Sequence, residues 1–111
     1  MIKSMLLVML LGLSQLSFAQ TLSPEGCQFV ASVAAHAVLE ARGMEPKGST
    51  IKTVEQILPR QGNDKVYDLI ESLIAKYNRN KKLFPDMVFQ EEFLKCLSVQ
   101  GDMEKMLPKR S

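Results

Sequence analysis

Tryptophan is absent from this 111-residue chain, histidine occurs once and cysteine only twice. Each scarcity excludes something. A structural zinc site takes four nitrogen or sulfur ligands, and one histidine with two distant cysteines does not supply them. A dithiol redox motif places its cysteines two residues apart, whereas Cys27 and Cys96 stand far apart. Neither sign of charge dominates, with 14 Lys and Arg against 12 Asp and Glu. A nucleic-acid binder depends on a strong basic field to displace counterions, so that class is set aside. There is no internal repeat, no low-complexity tract and no apolar run long enough to span a bilayer, which takes about 20 residues.

What is present begins with an address. Met1, Ile2, Lys3 and Ser4 precede an apolar block from Met5 to Leu13, which polar Ser14 and Gln15 interrupt. A short basic start followed by a short apolar block is the layout of a secretory signal. Ser17 and Ala19 are the small residues a signal peptidase reads, so cleavage is expected between Ala19 and Gln20. Residues 1–19 are then the signal peptide, and residues 20–111 a single helical domain with a frayed C-terminal tail. Gln20, not cysteine, follows the cleavage point, so no lipid anchor and no membrane anchor is expected after cleavage. Loss of Lys3 lowers the formal charge of +2 by one.

Export bears on the cysteines. In an oxidising compartment an even pair in a small domain is most simply a disulfide, here Cys27 to Cys96. A catalytic thiol and a metal site are the competing readings.

Ser23 is a good N-cap, Pro24 suits the first helical position, and Glu25 complements the dipole. A first helix is expected from here to Arg42, with Gly43 supplying the left-handed residue that often ends helices. Its face carrying Cys27, Val30, Ala31, Ala34, Val38 and Ala41 is small, while Phe29 and Val33 lie opposite. Apolar over much of its circumference, it reads as a central helix. Thr50 is expected to cap a short second helix carrying Ile51, Val54 and Leu58 and ended by Pro59. Val66, Leu69, Ile70, Leu73, Ile74 and Tyr77 repeat at helical spacing and mark a third. A fourth opens at Pro85, with Phe89, Phe93, Cys96 and Leu97 as its expected buried stripe. The fold class is therefore all-α: a small bundle of about four helices stapled by one disulfide. If the first and last helices pack along each other, the disulfide makes them antiparallel.

No catalytic constellation, metal site or cofactor site emerges from the spacing. His36 has Glu40 one turn later, which fits a modest pH-sensitive pair or an ordinary helix-face histidine. Asp64 with Asp68, and Glu91 with Glu92, read as solvated helix faces rather than the paired acids of a glycosidase. Arg79, Lys81 and Lys82 read as charges at a helix end or as a surface for an anionic partner. Met44, Met87, Met103 and Met106 would be soft ligands for copper, but methionine ordinarily fills gaps in cores.

An early cysteine, an Ala-rich helix ending Leu39, Glu40, Ala41, Arg42, Gly43, an amphipathic helix and a final Phe93, Leu94, Lys95, Cys96 resemble a diffuse group: small exported two-cysteine all-helical proteins of proteobacteria. The resemblance implies a periplasmic location and one disulfide, and it carries no active-site residues. Acid-activated periplasmic chaperones and toxin-immunity proteins are similar in architecture. The resulting expectation is a non-enzymatic periplasmic or secreted binding protein with a protein partner, using a helical surface near Phe29, Val33 and His36. A small periplasmic hydrolase, a toxin-immunity protein and an acid-chaperone-like protein are the alternatives.

Overall fold

The computed structural model describes residues 21–80 and 82–107. The expected signal peptide, the Ala19–Gln20 cleavage point and the tail beyond Leu107 lie outside the described residues. Within them the chain forms five helices: α1 (Pro24–Ala41), α2 (Ser49–Ile57), α3 (Asp64–Tyr77), α4 (Pro85–Ser98) and the short α5 (Met103–Met106). The only extended pairing among the described residues is an isolated antiparallel bridge between Thr21 and Asp102. The fold is all-α, as the periodicity implies. None of the described helices is long and apolar enough to cross a membrane.

α1 begins as its residues dictate, with the Ser23 hydroxyl accepting from the Gly26 amide at 3.1 Å. It ends where Gly43, at φ +76°, lets the Met44 amide reach back to the Leu39 carbonyl at 2.9 Å. Val30, Ala31, Ala34, Ala37 and Val38 are fully enclosed. Small side chains on this helix let three neighbours approach it, and α1 packs against α2, α3 and α4. α3 contributes the largest apolar side chains to the core, with Leu69 and Ile70 completely buried. Each such burial is worth roughly 1.5–3 kcal/mol.

Cys27 and Cys96 form a disulfide, joining the first turn of α1 to the last turn of α4. At the opposite end the Arg42 guanidinium donates to the Leu83 carbonyl at 3.2 Å and covers the Phe84 ring at 5.4 Å. Start meets end at both extremities, so the two helices run antiparallel.

The disulfide end carries a second tie. α4 terminates with the Gly101 amide on the Cys96 carbonyl at 2.8 Å and the Gln100 amide on the Leu97 carbonyl at 3.0 Å. The Gly101 carbonyl then accepts from the Leu22 amide at 2.8 Å. A Cβ on Gly101 would lie 2.0 Å from the Leu22 carbonyl oxygen, so only glycine permits the approach. α5 follows, capped by Asp102 and inserting Met103 and Met106 into the core.

Two expectations about α4 are corrected. Its enclosed positions are Val88, Glu92 and Cys96; Phe89 and Phe93 are half-buried and Leu97 is exposed. Glu92, expected on a solvated face, is 2% exposed. The buried stripe therefore runs one position to the side of the aromatics, along the line that continues to the disulfide. Phe89 and Phe93 stack on each other at 5.7 Å on its flank.

Candidate functional site

α2 is held to α1 by few groups. Val54 and Leu58 enter the core, and Thr50 is enclosed at the helix start. The residue before α2 is Gly48, which has no side chain to accept the first free amides. The acceptor comes instead from α1: Glu40 Oε1 takes the Thr50 amide at 3.0 Å. Thr50, expected to cap α2, is therefore inside the helix and is itself the capped residue.

Glu40 is nearly enclosed, at 9% exposure. Burial pushes its carboxyl up, but the Thr50 amide and hydroxyl, the Gly48 amide and the nearby His36 outweigh it. The net result is a carboxyl held below its ordinary 4.5. His36 Nδ1 lies 2.8 Å from the Thr50 hydroxyl, so Thr50 stands between the histidine and the acid. His36 and Glu40, one turn apart on α1, are thus also linked through Thr50 across two helices.

This chain does not have the order of a hydrolytic triad. There a carboxylate orients the histidine and an exposed hydroxyl attacks. Here the carboxylate binds the threonine, and Thr50 is 1% exposed, so its oxygen is out of reach of a substrate. The arrangement fixes a helix start and the orientation of the imidazole.

Beside the chain, α1 and α2 leave an open groove with a volume of about 180 Å³. Phe29, Val33 and His36 form one wall, and Val54 and Ile57 form the other. The three positions singled out from the sequence are thus brought to one place, although Val33 is 5% exposed and serves as floor. Ile57, on the short second helix, is 61% exposed and was not singled out. Its signal in the sequence is weak: a single isoleucine two residues before the helix-ending Pro59.

Ser32 and Thr53 also border the groove, yet each hydroxyl donates at 2.8 Å to a carbonyl one turn back, on Gln28 and Ser49 respectively. Their hydroxyl protons are engaged by their own helices. No Asp, Glu, Lys or Arg lines the groove. It offers apolar contact with the imidazole as its chief polar feature.

A second buried polar cluster joins α3 to α4. The Tyr77 hydroxyl donates to Glu92, whose Oε1 lies 3.6 Å from the Lys76 ammonium. Burial, and then the Glu92 carboxylate, pushes the Tyr77 phenol well above its ordinary 10. No group of three or more His, Cys, Asp or Glu residues arranged to hold a metal occurs among the described residues. Met103 and Met106 are buried in the core, whereas Met44 and Met87 are exposed. Comparison of the chain with known protein families, curated proteins and solved structures returned no match.

Proposed function

We propose that this protein is a non-enzymatic binding protein of the periplasm or the extracellular space, and that the α1–α2 groove receives an apolar face of a partner protein. The observation that carries the reading is the groove's lining. Phe29, Val33, Val54 and Ile57 are apolar, the hydroxyl protons of Ser32 and Thr53 are held by their own helices, and no Asp, Glu, Lys or Arg lines the groove. Polar small molecules gain little in such a place, because few groups there can orient them.

The partner chemistry follows from shape. The groove's lining residues on α2 run from Thr50 to Ile57, roughly 10 Å along the helix axis. That length matches about two helical turns, so the fitting occupant is an amphipathic helix with apolar anchors three or four residues apart. His36 supplies a polar contact at the groove's edge. The Cys27–Cys96 disulfide and the signal-like start of the sequence support an oxidising location.

The test is selection of peptides from a random library on the oxidised protein, followed by binding to Ile57→Glu. Ile57 is exposed, so the change leaves the core intact. Selected peptides are expected to carry helical-spaced Leu, Ile or Phe and to lose about tenfold or more in affinity on the variant. Equal binding to Ile57→Glu, or peptides without apolar anchors, would count against the groove.

A further inference from the structure

On the side of the molecule built by α3, α4 and α5 there is a cavity of about 270 Å³. Lys76 from α3, Lys95 from α4 and Lys105 from α5 all border it. Leu73, Met106 and Leu107 supply its apolar lining. Leu73 and Met106 are nearly enclosed, at 5% and 6% exposure.

Three lysines from three helices border this one cavity, so an anion within it gains from all three charges. Two of the acids on these helices are engaged elsewhere, while Glu91, one turn before Lys95, is exposed and makes no ion pair among the described residues. Glu104, next to Lys105, pairs with Lys65 at 3.1 Å. Lys76 pairs with the buried Glu92 at 3.6 Å and lies over the Tyr77 ring at 5.0 Å, and an ammonium with three donors has capacity for a further acceptor. Lys95 and Lys105 make no ion pair among the described residues.

We infer that this cavity is a binding site for an amphipathic anion, a phosphate or carboxylate head carrying a short apolar tail. The head sits among Lys76, Lys95 and Lys105, where charge-assisted hydrogen bonds are strong. The tail lies over Leu73, Met106 and Leu107. The site is separate from the α1–α2 groove and shares no residue with it.

The test is titration of the oxidised protein with octyl phosphate, octanoate and inorganic phosphate, read by calorimetry and by amide shifts. A parallel arm uses phosphatidylglycerol vesicles. Octyl phosphate or octanoate is expected to bind about tenfold or more tightly than inorganic phosphate. The Lys95→Gln/Lys105→Gln variant is expected to weaken that binding by about tenfold or more. Lys47→Gln/Lys52→Gln, which removes the same charge elsewhere, is expected to leave it unchanged. Saturable binding of the soluble amphiphiles assigns a free ligand; lysine-dependent binding to vesicles alone assigns a lipid headgroup. Both outcomes support the site. It is overturned by no binding in either arm, by inorganic phosphate binding as tightly as the amphiphiles, or by equal loss in the two lysine variants. Ile57→Glu leaves this cavity untouched, so failure here and failure of the groove are separable.

Discussion

Glu92 carries a carboxyl group into a place where the surrounding residues are Val88, Cys96 and the apolar face of α3. A buried acid is costly unless it is bonded and paired; the Tyr77 hydroxyl donates to Glu92 Oε1, and the Lys76 ammonium lies 3.6 Å from the same oxygen as its counter-charge. The protein has two tyrosines, and both phenols are raised above 10, Tyr67 by burial and Tyr77 by burial followed by Glu92. A raised folded value means that the neutral phenol is preferred in the native state. Its stabilising effect is complete below about 10 and fades as pH rises through the folded value. Alkaline absorbance titration of the native protein is therefore expected to show both tyrosines ionising above 10, Tyr77 the later of the two. Glu92→Gln keeps the shape and removes the charge, so it moves the Tyr77 titration downward and costs about 1–3 kcal/mol in urea unfolding. A tyrosine that titrates at 10 in the folded wild type would contradict this account of the α3–α4 contact.

At the scale of elements, the start of α2 depends on a side chain of another helix. Glu40 lies below its ordinary carboxyl value because the folded state stabilises its charge. Its contribution is complete above 4.5 and is lost as pH falls through the lower folded value. Glu40→Ala is expected to cost about 1–2 kcal/mol at neutral pH and to raise hydrogen exchange across α2 more than across α3. It also flattens the acid limb of the stability profile; an unchanged limb would show that the carboxylate does not hold α2. The sequence discloses α1 and α3 well, because Ser23, Pro24 and Gly43 mark ends and Val66 to Tyr77 keep one period. It discloses Cys27–Cys96 as well, through the expectation of export. Glu40 and Glu92 escape it, since a carboxylate at helical spacing looks the same whether water or a partner helix faces it. The stripe of α4 escapes for a related reason. Apolar residues occur around most of its circumference, so Phe89 and Phe93 outweigh Val88 in any reading by pattern. Phe29, Val33 and His36 were legible as a face, but the opposing wall of Val54 and Ile57 depends on how α2 folds back.

The whole molecule is organised around the antiparallel pair α1 and α4, tied at one end by the disulfide and at the other by Arg42 with Leu83 and Phe84. Helices α2 and α3 lie between these two in sequence, inside the loop that the disulfide closes over a separation of 69 residues. Constraining a loop of that length in the unfolded chain is worth about 4 kcal/mol in the chain-entropy treatment. A domain of this size has a total stability of only about 5–15 kcal/mol. The bond is not the only tie at its end, because Leu22 and Gly101 join the same extremities through the backbone. Reduction should therefore leave the native helix pairing as the preferred arrangement while lowering its margin over the unfolded chain. The expected result is a reduced protein with the helical signal of the oxidised one at low urea, a midpoint lowered by an amount corresponding to about 3–4 kcal/mol, and a steeper urea dependence as the unfolded chain expands. Gly101→Ala, made in the reduced protein, removes the remaining tie and is expected to abolish the cooperative transition. If the reduced protein instead lost its helices outright, the α1–α4 interface would be a consequence of the disulfide; if its midpoint did not move, the bond would be incidental to a bundle already closed by packing.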